Sequence, residues 1–307
     1  MKTAFLFSGQ GAQYPGMLKD LYESEQTAKR IFDIADQALG RSVSSLCFEG
    51  TQEELNLTHN TQPCVLAADL AAGMALRAHG IEPDAVAGFS LGEYAALSFA
   101  GSMTEEEVFR LIQIRADAMQ DAVKPGEGAM AAFIGVTPEQ AEAICEQAED
   151  YVVPANYNSL VQTVVSGTAD GVDKACEIAA AQGIRCMKLA VSAPFHCKLM
   201  EPAAMKLKEV FSGTTFREPA IPVYMNVDGM LLKNAGCIPE LLVRQATSPV
   251  RWVQTLQEMQ KNGISTFIEC GPGRTLSGLV KKTLDNVVIL RVEDCKTLKS
   301  TLEALNI

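Results

Sequence analysis

The segment Gly88-Phe89-Ser90-Leu91-Gly92 constrains this chain most, because it lies between a short apolar run at 85–87 and a helix opening at 93–97. A serine with glycine two positions away on either side suits a tight turn from strand into helix, where the serine backbone is strained and bulkier neighbours would collide. Such a turn sets one hydroxyl alone in a cleft, at a helix N-terminus whose unpaired amides favour developing negative charge. Ser90 is therefore the candidate nucleophile; the plainer alternative is a serine that only caps the helix.

Strand and helix patterns alternate along the rest of the chain. A strand at 3–7 runs into the glycine-rich turn 8–11. Gly9 and Gly11 would need a third glycine at position 14 to form a dinucleotide loop, but Tyr14 stands there with Pro15 after it, so the spacing argues against nucleotide binding. An Ala/Leu-rich helix is predicted at 63–78, ending at Gly80. From Lys124-Pro125-Gly126 the pattern becomes strand 129–136, helix 137–148, strand 151–155, strand 162–166, helix 170–182 and strand 185–191. That β-α-β-β-α-β order is ferredoxin-like and predicts an inserted small domain at 126–194, with 1–125 and 195–307 forming the catalytic domain. Beyond it the pattern gives helix 199–211, strand 222–227, helices at 239–246 and 250–262, strand 265–269, the turn Gly271-Pro272-Gly273, and a last helix and strand. The expected class is α/β, with a mostly parallel sheet covered on both faces.

A serine hydroxyl needs a base, and the chain has only three histidines. His79 precedes Gly80 at a helix end, a structural position, and His59 falls in a polar stretch at 58–61 read as surface loop. His196 stands where the chain returns from the small domain, and domain junctions are where clefts form. Elimination favours His196 as the base, against a satisfied core histidine. Cys197 beside it reads as a small buried filler. No aspartate between Ser90 and His196 occupies a characteristic turn, which predicts a Ser-His dyad oriented by a neutral acceptor.

Thr104 and Glu107 form a capping box for the next helix. Its apolar positions, Val108, Leu111, Ile112, Ala116 and Met119, share one face with Arg115, whereas Arg110 falls on the opposite side. A guanidinium on a buried stripe needs an anion. Either it snorkels or pairs with an internal carboxylate, or it grips a carboxylate-bearing substrate with its bidentate fork.

Lys plus Arg total 26 against 37 Asp plus Glu, a net charge of −11 that does not favour nucleic acid or an anionic membrane. No apolar run reaches the roughly 18 residues that span a bilayer; the richest, 63–76, is interrupted by Asp69. With too few apolar residues between Lys2 and Ser8 for a signal-peptide core, a cytoplasmic location is expected. Nine cysteines without a C-x-x-C pair predict free, mostly buried thiols and no zinc site.

Five ordered motifs, F-S-G-Q-G-A-Q at 7–13, G-F-S-L-G-E-Y at 88–94, S-A-P-F-H at 192–196, T-S-P-V-R-W at 247–252 and E-C-G-P-G at 269–273, resemble those of the malonyl-CoA:acyl carrier protein transacylase family over nearly the whole chain. The resemblance implies an α/β-hydrolase-like core with a ferredoxin-like insert, and malonyl transfer from malonyl-CoA to acyl carrier protein for fatty acid synthesis, with no metal or cofactor. It implies that Ser90 attacks the thioester and that His196 accepts its proton. The backbone amides of Gln10 and Leu91 would form the oxyanion hole, Arg115 would hold the malonyl carboxylate, and the Gln245 carbonyl would orient His196. Met119, Asn158 and Phe195 complete the expected substrate-binding set. Phe195 resembles the bulky residue that accompanies malonyl rather than methylmalonyl selection. Two positions depart from the pattern: Phe89 replaces a frequent histidine, and Leu160-Val161 replaces a usual Pro-Gly near Asn158, which bears on the shape of the carrier entrance. Lys188, Lys198, Arg274, Lys281 and Lys282 are candidate carrier-docking residues. A trans-acting polyketide acyltransferase, an acyl-carrier hydrolase and a non-catalytic carrier-binding module are the competing readings.

Overall fold

The computed structural model describes residues 2–191 and 193–307, so Ser192 of the S-A-P-F-H motif lies outside the described residues. Its strands, in chain order, are β1 (Lys2–Phe7), β2 (Ala85–Gly88), β3 (Gly128–Ile134), β4 (Val152–Ser159), β5 (Gln162–Thr168), β6 (Arg185–Lys188), β7 (Val223–Tyr224), β8 (Ile264–Cys270) and β9 (Val288–Val292). One sheet runs β7-β2-β1-β8-β9 with every pairing parallel. The other runs β4-β5-β3-β6 and is antiparallel throughout. The molecule is thus mixed α/β. β1 from Ala4 on and the whole of β2 are continuous buried apolar runs because helices cover both faces of the parallel sheet. On one face Phe5 and Phe7 pack against Phe99, and on the other Trp252 and Phe267 belong to a second core cluster.

The two sheets meet where β4 lies against residues 248–251. Val250 donates its amide to the Ala155 carbonyl and accepts from the Tyr157 amide, both at 2.9 Å, and the Arg251 guanidinium lies over the Tyr157 ring. The T-S-P-V-R-W motif therefore seams the sheets along one wall of the cleft between them.

Several sequence expectations need correction. The predicted helix 63–78 begins earlier, as Thr58–Ala78, so His59 lies half-buried in its first turn rather than in a surface loop. Pro63 is tolerated inside this helix because the His59 carbonyl, which Pro63 cannot serve, takes the Arg41 guanidinium at 2.8 Å and the Gln113 amide at 3.4 Å instead. The sequence pattern missed four short to medium helices, Lys19–Ser24, Gln26–Leu39, Val43–Glu49 and Gln52–Asn56, and the last helix Cys295–Ala304. β6 stops at Lys188 and β7 is only two residues long, leaving 225–227 free of the ladder. Cys176 and Cys186 are joined in a disulfide rather than free: helix Ala169–Ala181 packs on β6 with their Cα atoms 5.8 Å apart, a span the bond bridges. The other seven cysteines are free and mostly buried. Among the described residues no helix is long and apolar enough to cross a membrane.

Candidate active site

β2 ends at Gly88 and helix Gly92–Phe99 starts four residues on, so the intervening turn must reverse the chain within van der Waals contact of itself. A Cβ on Gly88 would lie 1.8 Å from the Gly92 carbonyl oxygen, and one on Gly92 would lie 2.4 Å from those of Phe7 and Ser8. The glycines at 88 and 92 are thus sterically required. Ser90 sits at φ 56°, the left-handed region, at a cost of about 1 to 3 kcal/mol that the surroundings must offset. They do so through hydrogen bonds to its main chain: its N–H donates to Asn226 Oδ1 at 2.8 Å and its C=O accepts from Gln245 Nε2 at 2.9 Å. Asn226 also donates its side-chain amide to the Gly88 carbonyl at 2.7 Å.

Ser90 Oγ lies 2.8 Å from His196 Nε2, and His196 Nδ1 lies 2.8 Å from the Gln245 carbonyl. A carbonyl accepts only, so Nδ1 carries the proton and Nε2 offers its lone pair to the serine hydroxyl. His196 is itself at φ 62° and only 3% exposed. Burial, with the positive charge of Arg115 second, lowers its pKa from 6.5 to about 4, so the ring is neutral near pH 7.

Arg115 reaches the same hydroxyl, its Nη2 standing 3.1 Å from Ser90 Oγ. Nη1 donates to Gln62 Oε1 at 2.5 Å and Nη2 to Gln245 Oε1 at 3.0 Å, and the guanidinium lies over the Tyr94 ring. Helix Glu105–Asp121 buries this face, while Arg110 on the other side pairs with Glu106 at the surface. Among the described residues no carboxylate lies within ion-pair distance of Arg115, although it is buried. Burial lowers its pKa. The internal salt bridge that the sequence left open is therefore not what occupies the guanidinium.

The cleft holds about 1090 Å³ of empty space, its open mouth included, and Ser90, His196, Arg115, Gln10, Leu91, Met119, Asn158 and Phe195 all line it. Gln245 stands behind His196 and Arg115 rather than on the cleft wall. Met119 packs beneath the arginine, where its sulfur accepts from Gln62. Asn158 Oδ1 is buried without a hydrogen-bond partner among the described residues. Gly9 must be glycine because a Cβ there would lie 2.8 Å from the Phe89 ring and carbonyl oxygen. Phe89 itself stacks edge-on against Trp252. Of the docking candidates, Lys188 is paired with Asp173, and Lys198 is exposed beside the small sheet. Arg274 and Lys281 line a shallow depression, with Lys282 exposed alongside, on helix Thr275–Thr283, whose Leu276 and Leu279 line the cleft.

Three residues of the site escaped the sequence reading: Gln62, Glu93 and Asn226. Glu93 is fully buried, accepts from the Asn226 amide at 2.9 Å and from Gln245 Nε2, and its carboxyl is pushed up to about 8 by burial while those donors and Arg115 pull it back. Its place directly after G-x-S-x-G was the one available signal. Asn226 and Gln62 carried none.

The acyl transferase domain family matches residues 4–301. The malonyl CoA-acyl carrier protein transacylase of Bacillus subtilis is 42% identical over 308 residues, 99% of this chain and 97% of that protein. The solved acyl-carrier-protein S-malonyltransferase of Burkholderia pseudomallei superposes with a TM-score of 0.96 at 41% identity, covering 99% of this chain and all of that one. A malonyl-transacylase solved in complex with a type II PKS acyl-carrier protein is 39% identical with a TM-score of 0.96, covering 99% of this chain and 100% of its own. With a buried imidazole and a buried guanidinium meeting at one serine hydroxyl, the chain belongs to the acyl transferase domain family and, within it, groups with the malonyl CoA-acyl carrier protein transacylases.

Proposed function

We propose that this enzyme transfers the malonyl group of malonyl-CoA to the phosphopantetheine thiol of acyl carrier protein, for fatty acid synthesis, through a malonyl ester on Ser90. The observation that carries the reading is a buried guanidinium without a carboxylate partner, 3.1 Å from a serine oxygen that is itself 2.8 Å from a neutral imidazole. A nucleophile alone fits any acyl group; a desolvated cation beside it selects an acyl group ending in a carboxylate.

A ping-pong order follows from this reading. Ser90 Oγ attacks the thioester carbon while its proton passes to His196 Nε2; the tetrahedral oxygen collects charge and is held by the backbone amides of Gln10 and Leu91, at the mouth of the helix. The C–S bond then breaks and His196 returns the proton to the coenzyme A sulfur. The carrier thiol enters, gives its proton to His196, attacks the ester carbon, and the Ser90 oxygen leaves with the proton restored. Arg115 keeps the malonyl carboxylate in place throughout, so the second thiol meets an oriented ester. The two thioesters are nearly isoenergetic, which leaves exclusion of water as the main demand on the cleft. Phe195, buried before the base, supports malonyl over methylmalonyl, since a methyl branch packed against its ring costs about 1 to 3 kcal/mol.

The same reading divides the chain into an α/β-hydrolase-like catalytic domain, 1–125 and 195–307, and a ferredoxin-like small domain, 126–194, and places the enzyme in the cytoplasm. The antiparallel sheet order β4-β5-β3-β6, with a helix after β3 and after β5, supports the second assignment. The acidic carrier docks on Arg274, Lys281 and Lys282, on the outer side of the segment whose Leu276 and Leu279 line the cleft, where positive charge offsets the −11 of the whole chain.

Intact mass after incubation with malonyl-CoA tests the proposal. A malonyl adduct in the wild type, absent in Ser90→Ala and discharged by the holo carrier, is expected, with methylmalonyl-CoA reacting more slowly. Release of free malonate in place of carrier loading would identify a hydrolase, and absence of any adduct would leave a binding module.

A further inference from the structure

The Ser90 main chain and the Arg115 guanidinium converge on one side chain. Gln245 Nε2 donates to the Ser90 carbonyl at 2.9 Å, and Gln245 Oε1 accepts from Arg115 Nη2 at 3.0 Å. The far side of the Gln245 amide nitrogen meets Glu93 Oε2, and Glu93 Oε1 accepts from the Asn226 amide at 2.9 Å. All four side chains are buried, so water does not substitute for a lost partner.

A carboxamide can present oxygen or nitrogen at either end, and nothing in Gln245 itself decides which. Its neighbours do. Guanidinium only donates and the Ser90 carbonyl only accepts, so the amide lying between them has one orientation, oxygen toward Arg115 and nitrogen toward Ser90 and Glu93. The reversed amide would set N–H against N–H at Arg115. A carboxamide at position 93 offers one oxygen where Glu93 offers two, so its own N–H₂ is set against either the Asn226 amide or the Gln245 amide nitrogen and the relay loses one of its contacts.

We infer that Glu93 is a positioning residue for carboxylate recognition: through the Gln245 amide it holds the Arg115 fork in the orientation that receives the acyl carboxylate. This rests on the malonyl-transfer reading. The helix Gly92–Phe99 that begins beneath the nucleophile therefore also supplies, one residue past the turn, the group that aligns the specificity arginine.

Glu93→Gln, equal in size, tests the inference by acylation of Ser90 with malonyl-CoA and with acetyl-CoA. Malonyl acylation is expected to slow about 100-fold and acetyl acylation about 10-fold or less, narrowing the malonyl preference about tenfold, as slight misplacement of a substrate anchor does. Equal slowing for both substrates, the mark of a purely structural role, overturns the inference, as does no change. Gln245→Met keeps the main-chain carbonyl under His196 and breaks the relay at its other end. It is expected to narrow the preference likewise even if Glu93→Gln does not fold, and an undiminished preference there overturns the inference too. If the wild type forms no malonyl adduct, the transfer reading has failed and the inference with it; if the adduct forms and the preference resists both substitutions, only the inference has failed.

Discussion

In the proposed reaction His196 accepts the serine proton only while its ring is neutral, and the structure holds it neutral by burying it beside a cation. Its pKa of about 4, against 6.5 for an exposed ring, moves the acid limb of acylation well below the usual histidine range. The kcat/KM for malonyl-CoA is expected to hold down to near pH 5 and fall toward pH 4; a limb centred at 6.5 would contradict the burial. The sign for stability follows from the same shift. Between pH 6.5 and about 4 the unfolded chain binds a proton at this position that the native one refuses, so this group lowers unfolding free energy as the solution is acidified through that window. Arg115 contributes the second part of the shift, so Arg115→Ala raises the acid limb. It also lowers malonyl acylation by about 100-fold, within the 2 to 5 kcal/mol for truncating one side of a buried charge contact. Acetyl acylation persists or rises in the same variant, and malonyl-to-acetyl selectivity equal to the wild type would refute the carboxylate role.

At the scale of elements, the turn after β2 is legible in the sequence because its constraint is local. Gly88 and Gly92 are fixed by contacts with each other and with the end of β1, and any Cβ there displaces main chain rather than a flexible side chain. Gly88→Ala is expected to cost at least the 1 to 3 kcal/mol typical of overpacking and to abolish the Ser90 adduct, read as a lowered thermal midpoint together with loss of acylation. Wild-type acylation in that variant would show that the turn tolerates a side chain. The buried face of helix Glu105–Asp121 is equally local, and its 3.6-residue period places Arg115 inward and Arg110 outward. β7 is the opposite case. Its sequence goes on with the apolar Met225 and Val227, yet the strand ends at Tyr224 because the Asn226 amide between them turns to the Glu93 carboxyl, a contact no periodicity announces.

At the scale of the whole molecule, the cleft exists because the small antiparallel sheet is seamed to the main body at Val250 and returns its chain at His196. The carrier must bring a thiol into that cleft, and helix Thr275–Thr283 contributes Leu276 and Leu279 to its wall and, with Arg274 just before it, Lys281 and Lys282 to the outside. Lys281→Glu combined with Lys282→Glu is expected to raise the KM for the carrier several-fold, more at low salt than at high, while acylation by malonyl-CoA stays at its wild-type rate. An unchanged carrier KM would move docking elsewhere on the surface. Lys188, paired with Asp173 at the surface, is expected to contribute less to docking than Lys281 and Lys282.

Much of this protein was determined by residues near one another in the chain. The nucleophile turn, the helix that carries Arg115, the two sheets and the return of the chain at His196 all follow from steric limits and periodicities that act over a few residues. The caps of the early helices were equally local, as the Thr51–Glu54 capping box shows, but those helices are short and their apolar period too brief to stand out. What only the tertiary structure decided is the network beneath the site: Gln62, Glu93, Asn226 and the side chain of Gln245 come from four separate segments and become meaningful only when burial removes water and each donor must find its acceptor. The pairing of Cys176 with Cys186 belongs to the same class, since helix packing on β6, and not spacing along the chain, brought them together.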